Sequence, residues 1–293
     1  SEQLTSQPIS ISSSVQRMGR AGRLRPGFCY RLGSKQEFER RRTHDVAEIE
    51  RVGLAQLLLE ISLWGAEFDQ LFWASRPPTS LLEAGKGQLQ TLGFWQKDKP
   101  VATDLARHYQ KYASDLRLSR MLYSVKKLTE VPELLATACA LAVYLENANK
   151  TEGDLTLRLD VGGATALRPY KGQIARLYKK LTGKAWSESQ YDVDHLGLLL
   201  LLAYPDRIGK KQGKRWKLSN GTAVDFHSSQ TQSRSELIVV ADYNTSQYGQ
   251  YIQAYAPLTL AEIEAYAPDL LEREEVVAWS EQKQQPQKTA QLR

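Results

Sequence analysis

The spacing of hydrophobic residues changes character part-way along the chain, and this change limits the possible folds more than any other feature. Val46, Ile49, Val52, Leu57, Ile61 and Trp64 recur at helical spacing. Val131 to Leu145 is strongly apolar without strand-type alternation, the pattern of a buried helix. Turn residues accumulate between Thr151 and Gly163, and helical patterning resumes from about Tyr170 to Leu181. Beyond Tyr204-Pro205 the pattern is that of strands. Leu237 to Ala241 is a continuous run, Tyr251 to Ala256 alternates, and Asn220-Gly221 supplies a hairpin turn whose two positions tolerate positive φ. The expected class is therefore α+β and multi-domain, because 293 residues allow two or three small cores.

Punctuation refines this reading. Gly65 stops the first helix. Arg76-Pro77-Pro78 is a rigid spacer, and Ser80 with Glu83 forms a capping box for a second helix that ends near Gly93. Phe94-Trp95 and Pro100-Val101 then flank the polar turn Lys97-Asp98-Lys99. Helix, helix and short hairpin is the composition of a winged-helix unit. Four or more strands after Pro205 predict a small barrel. Ala261 to Leu271 reads as an acidic helix, and the Gln-rich end from Gln282 as frayed.

Composition sets outer limits. Hydrophobic content of 42% and charged content of 25% exclude wholesale disorder. The net charge of +6 permits a nucleic-acid partner without requiring one. Cys29 and Cys139 are isolated thiols without metal-type spacing, as expected in a reducing compartment. The longest apolar run, Leu196 to Ala203, is too short to span a bilayer. No signal peptide opens the chain, so the expectation is a cytoplasmic protein with no membrane partner.

The densest chemistry lies in Gln16-Arg17-Met18-Gly19-Arg20-Ala21-Gly22-Arg23. On a helix, Arg17, Arg20 and Arg23 would share one broad sector, with Ser13 or Ser14 as the N-cap. Guanidiniums that close repel one another unless an anion sits between them, and their planar forks match phosphate oxygens. The octamer resembles motif VI of superfamily 2 helicases in the form used by the DEAH/RHA branch. Leu24-Arg25-Pro26-Gly27-Phe28-Cys29-Tyr30-Arg31-Leu32 is similar to that branch's continuation, and Phe28 to Leu32 alternates like a strand. In that family the glutamine and the last two arginines reach from the second RecA-like domain to the γ-phosphate of an ATP held mainly by the first. The resemblance assigns that role to Gln16, Arg20 and Arg23, with Arg20 and Arg23 as the catalytic pair.

The resemblance continues along the chain. Glu48-Ile49 to Leu54, Pro77-Pro78 and Leu89 to Phe94 are similar to the family's winged-helix region. Asp115-Leu116-Arg117-Leu118-Ser119-Arg120-Met121-Leu122 resembles the opening of its helical ratchet domain, although Leu116 stands where relatives commonly carry proline. Ala203-Tyr204-Pro205-Asp206-Arg207-Ile208 and Glu272-Arg273-Glu274-Glu275-Val276 resemble the bacterial HrpB-type branch. The implied domains are the end of a second RecA-like α/β domain at 1–45, a winged helix at 46–112, a helical ratchet bundle at 113–190, and an OB-like β-barrel with a C-terminal extension at 191–293.

Basic residues in the later domains are candidates for RNA contact, implied by the ratchet's place beside the RNA channel in relatives. Arg168 and Lys171 with Arg176, Lys179 and Lys180 fit either phosphate contact or the solvated face of a helix. Arg40 to Arg42 fit RNA or a solvated helix end. Arg207, Lys210, Lys211, Lys214, Arg215 and Lys217 surround Trp216, the composition of a backbone-binding and base-stacking surface. Packing of Trp216 in a core is an equal contender.

Absent motifs complete the picture. No Gly-x-x-x-x-Gly-Lys-Ser/Thr loop occurs, since Gly183-Lys184 is followed by Ala185, and Asp192-Val193-Asp194-His195 is not an Asp-Glu-x-His box. His44, His108, His195 and His227 sit in no recognisable nucleophile setting. The expectation is part of an ATP-dependent RNA helicase that needs ATP, Mg²⁺, single-stranded or structured RNA and a missing N-terminal RecA-like domain, and that is inactive as an NTP hydrolase alone. The rival is a stand-alone nucleic-acid-binding or adaptor protein. Neither an RNA target nor an oligomeric state follows from the residues.

Overall fold

The computed structural model describes residues 8–96, 99–112, 115–128, 132–147, 153–160, 163–187, 191–213, 215–227, 233–246, 249–271, 273–280 and 285–292. The chain divides into two compact units, Glu2–Leu89 and Gln90 to the C-terminus.

The first unit carries α1 (Ile11–Met18), α2 (Lys35–Glu39), α3 (Ala55–Trp64) and most of α4 (Thr79–Thr91). Its core lies between α3 and α4, where Leu54, Ala55, Leu58, Leu59, Ile61 and Leu89 are buried. Gly85 permits the close approach, because a Cβ there would lie 3.0 Å from Leu58 Cδ1 and 3.1 Å from the Ala55 nitrogen. Gly65 ends α3 at φ +83°, with its N–H on the carbonyls of Ile61 and Ser62. The helical pattern from Val46 is realised only from Ala55, after a 3-10 turn at Glu48–Glu50. Val46 and Val52 therefore precede the helix. Neither α1 nor α2 has a buried residue. Phe28 to Leu32, expected as a strand, forms none: no strand among the described residues pairs with it, and an extended segment alone leaves its ladder bonds unmade.

The second unit begins with the hairpin β1 (Trp95–Gln96) and β2 (Lys99–Ala102), the expected pair of short strands. Part of its turn, Lys97-Asp98, lies outside the described residues. Next come α5 (Asp104–Tyr112), α6 (Leu116–Lys127) and α7 (Pro132–Asn147). Asp115 caps α6 by accepting from the N–H groups of Arg117 and Leu118, which fixes the helix start at Leu116. The turn-rich stretch holds β3 (Gly153–Asp154), α8 (Leu155–Asp160) and α9 (Gly163–Leu167) instead of a plain loop. Leu155, Leu159 and Leu167 are buried there, so tertiary burial outweighs the local turn signals.

After α10 (Lys171–Thr182), α11 (Leu196–Ala203) is buried at every position, as expected of a helix that is apolar all round. Gly197 lets it lie against a strand, since a Cβ there would stand 2.0 Å from the Pro257 carbonyl oxygen.

The remaining elements are β4 (Ile208–Gln212), β5 (Arg215–Leu218), β6 (Ala223–Val224), β7 (Leu237–Ser246), β8 (Gly249–Leu258), α12 (Leu260–Tyr266), β9 (Arg273–Ser280) and β10 (Gln285–Leu292). Asn220-Gly221 makes the β5–β6 turn as expected, with Gly221 at φ +86° donating to the Leu218 carbonyl. The six-stranded sheet runs β3-β8-β7-β4-β5-β6, parallel only at β3–β8. It is open, which corrects the expected barrel. Its edge strands β3 and β6 have two residues each, and a single bridge from Asp225 to Tyr251 joins the end beyond β6 to β8. The expected frayed end instead pairs residue by residue as β9 and β10.

The sheet separates two cores. Val239, Ala241, Ala254, Ala256 and Leu258 face the cluster built from α6, α7, α10 and α11. Trp216, Leu218, Val224, Phe226, Ile238, Val240, Ile252 and Tyr255 form the other.

Candidate functional site

The arginine segment is positioned by its serines. Ser10, not Ser13 or Ser14, is the N-cap of α1, because its side chain accepts from the Ser13 N–H at 3.1 Å and the helix begins at Ile11. Ser13 turns outward, and its hydroxyl donates to Asp45 Oδ2 at 2.5 Å, holding that carboxyl below its ordinary value. The N–H groups of Ile11 and Ser12 donate to the carbonyls of Arg42 and Thr43, pinning the helix start to the 42–45 segment.

Helix α1 stops at Met18 with Gly19 as its C-cap. Gln16 and Arg17 therefore lie on its last turn, Arg20 lies in the turns that follow, closed by Arg20 N–H to the Arg17 carbonyl and Ala21 N–H to the Met18 carbonyl, and Arg23 lies beyond them. The single helical sector expected for three arginines is thus split. Arg17 lines a cleft of about 540 Å³ with Arg31, Lys35, Arg41 and Phe38, whereas Arg20 and Arg23 are not among its lining residues. Arg31 stacks on the Phe38 ring at 4.2 Å and Arg41 reaches it at 5.8 Å. Gln16, Arg20 and Arg23 are exposed, and among the described residues no carboxylate pairs with Arg20 or Arg23. A glutamine amide and two unpaired guanidinium forks are donors suited to an anion.

The structure divides the second group of candidates. Lys210 and Lys217 stand directly opposite on β4 and β5, and Gln212 opposes Arg215. These side chains share one face of the sheet, where Lys210, Arg215 and Lys217 are exposed. Arg215 Nε also pairs with Asp225 at 3.0 Å. Opposed like charges destabilise a strand pair, so Lys210 and Lys217 suit a bound anion. Trp216 is on the other face, 1% exposed and edge-on to Phe226 at 6.2 Å. This excludes base stacking on Trp216: alternation along β5 sends its ring into the core while its basic neighbours face solvent. Lys211, opposite Trp216, is half-buried, and Lys214 lies outside the described residues. Arg168 is exposed beside the start of α10, and Lys171 is half-buried in its first turn.

No family model matches the sequence. It is 29% identical over 289 residues to the ATP-dependent RNA helicase HrpB of Escherichia coli, across 95% of this chain and 34% of that protein. A crystal structure of the E. coli DExH-box NTPase HrpB aligns with 98% of this chain at a TM-score of 0.71 and 26% identity, over 34% of its own length. The chain is homologous to part of the DEAH-box RNA helicases. Shorter matches agree: 34% identity over 117 residues with DHX29 of Mus musculus, and 40% over 98 residues with a probable DHX35 homologue of Caenorhabditis elegans. These cover 9% and 13% of those relatives, so the chain spans about a third or less of the helicases it matches.

The structure explains the Tyr204-Pro205-Asp206-Arg207 motif. Asp206 accepts both arms of Arg117 from α6, at 2.5 and 2.9 Å. Two guanidiniums lie against the Tyr204 ring, Arg117 at 5.2 Å and Arg207 at 5.0 Å from its centroid. Arg207 donates to the Ala241 carbonyl on β7 at 2.7 Å, and Arg120 donates to the Leu202 carbonyl at the end of α11. Arg207, a candidate RNA contact, is therefore occupied within the fold. Burial pushes the Asp206 carboxyl up, and the Arg117 bond and charge reverse this, leaving it below the usual carboxylate value. Burial raises the Tyr204 phenol to about 12. Sequence reasoning did not single out Arg117 and Arg120. The available signal was their three-residue spacing after the Asp115 cap, with a carboxylate in the motif that follows the apolar run.

Among the described residues, no group of three or more His, Cys, Asp or Glu side chains is placed to hold a metal ion. No described helix is long and apolar enough to cross a membrane.

Proposed function

We propose that this chain is the C-terminal portion of an ATP-dependent RNA helicase and completes a nucleotide site that lies mostly outside it. The alignment with HrpB along 95% of the chain carries this reading. Gln16, Arg20 and Arg23 would contact the γ-phosphate of ATP. Their exposed donors and the lack of described carboxylate partners for the two arginines fit that role. The α- and β-phosphates and Mg²⁺ fall to a phosphate-loop RecA-like domain, since this sequence has neither that loop nor an Asp-Glu-x-His box.

The domain reading belongs to the same proposal. Residues 1–45 form the end of the second RecA-like domain. Phe28, Tyr30 and Leu32 stand 87%, 87% and 95% exposed at every second position, which suits a strand whose sheet is completed by other residues. Residues 46–112 form a winged helix, supported by the order α3, α4, β1, β2. Residues 113–190 form the ratchet bundle, and residues 191–293 the sheet with its C-terminal extension. Arg168, Lys171, Lys210, Lys211, Lys214 and Arg215 bind the RNA backbone. Arginine contact with the γ-phosphate favours a closed arrangement of the two RecA-like domains, and its weakening after hydrolysis favours an open one. That differential contact drives stepping along single-stranded RNA.

The chain alone should hydrolyse no ATP with or without RNA. Fused to a phosphate-loop RecA-like domain of the same family, it should give RNA-stimulated ATPase. An isolated chain that hydrolyses ATP, or a fusion with no RNA stimulation, contradicts the proposal.

A further inference from the structure

The far end of α10 from Lys171 carries a second concentration of positive charge. Lys179 and Lys180 lie in its last turn, and Lys184 follows the Gly183 cap at φ +76°. Helix α6 ends beside them: Lys126 Nζ donates to the Leu181 carbonyl at 3.4 Å, and Lys127 is the next residue. All five lysines are exposed. At 1.5 Å per residue this end lies ~14 Å along the helix from Lys171, so it takes in Lys179 and Lys180 of the α10 candidates and leaves out Arg168 and Lys171.

Helix C-termini favour cations, which accounts for part of this arrangement. That field falls off within the last turn, while five lysines gathered on two helix ends repel one another. Tyr123 lies in the same surface, with Lys127 Nζ 4.5 Å from its ring. Asp104, which faces Lys127, is paired with Arg107. His108 lies within reach of this charge. Buried on α5 and edge-on to Tyr123 at 5.3 Å, it is pulled down to about 4, by burial first and then by Lys126 and Lys111.

We infer that Lys126, Lys127, Lys179, Lys180 and Lys184 form a docking surface for a phosphodiester backbone, separate from the basic face of β4 and β5. The inference rests on the RNA-binding reading above and adds a second point at which the strand is held. Ammonium groups without a bidentate fork grip phosphate as point charges, so the surface binds any sequence.

The test is salt-dependent binding of fluorescent oligouridine to the full chain and to two triple variants. Lys127→Gln/Lys179→Gln/Lys180→Gln should weaken binding tenfold or more at low salt. It should also lower the slope of log affinity against log salt by about 2, since each lost single-strand contact removes about 0.7. The matching lysine-to-arginine variant should bind as the wild type does. If the glutamine variant keeps the wild-type slope while Lys210→Gln/Lys217→Gln lowers it, the surface is overturned and the RNA reading stands. If the wild-type chain binds no oligonucleotide at low salt, both fall.

Discussion

Asp206 joins α6 to the end of α11, and its partners make its removal costly. Truncation to alanine leaves the half-buried Arg117 without its carboxylate, with Arg207 against the same Tyr204 ring. Breaking a buried pair costs more than the pair contributes net, so Asp206→Ala should destabilise the 90–293 unit by about 3 kcal/mol in urea unfolding. Arg117→Met with Asp206→Leu should cost less than the sum of the single changes. His108 makes a prediction in pH. Its folded value of about 4 lies below the ordinary 6.5, so the unfolded chain binds the proton first. The stability it contributes is complete above pH 6.5 and is lost as pH falls toward 4, by about 2 kcal/mol between pH 7 and 5. His108→Phe should flatten that part of the wild-type profile, and an unchanged profile removes His108 as its cause. Trp216 marks how far a single residue is legible. Its basic neighbours favoured neither a core nor a stacking role, and only the register of β5, which faces the ring inward, decides the matter.

Legibility follows how much of each element's driving force is local. Helix α7 was plain from Val131 to Leu145 because its apolar residues are contiguous, and the Asn220-Gly221 hairpin because its backbone conformation is encoded in two residues. Helices α8 and α9 were hidden by turn residues, since they are held by burial of Leu155, Leu159 and Leu167 against distant segments. The barrel expectation failed for a related reason. Strand existence is a local property, but whether the ends of a sheet meet is not, and among the described residues a single Asp225–Tyr251 bridge joins the end beyond β6 to β8. Helix α11 offers the clearest test at this scale. Gly197→Ala places a methyl group on the Pro257 carbonyl and must push α11 from β8, at a cost of about 2 kcal/mol or more. Thermal unfolding of the 90–293 unit should fall accordingly, whereas Gly172→Ala, where the added Cβ meets nothing within 4 Å, should leave it unchanged or slightly raised.

At the scale of the molecule, the sequence is homologous to about a third of HrpB and carries a motif of exposed arginines with no phosphate loop of its own. The resemblance of the octamer to a phosphate-contacting motif is legible because side-chain chemistry and order are local. The octamer's geometry is not: Gly19 ends the helix early and separates Arg17, which lines the Phe38 cleft, from Arg20 and Arg23. That separation sets Arg17 apart from Arg20 and Arg23, the two arginines proposed to contact the γ-phosphate. The most direct measurement is steady-state ATPase of the chain fused to a phosphate-loop RecA-like domain, with Arg23→Ala compared to the parent at saturating RNA. The account predicts a fall in kcat of about 10³-fold with RNA affinity unchanged. Turnover that survives in Arg23→Ala would contradict it.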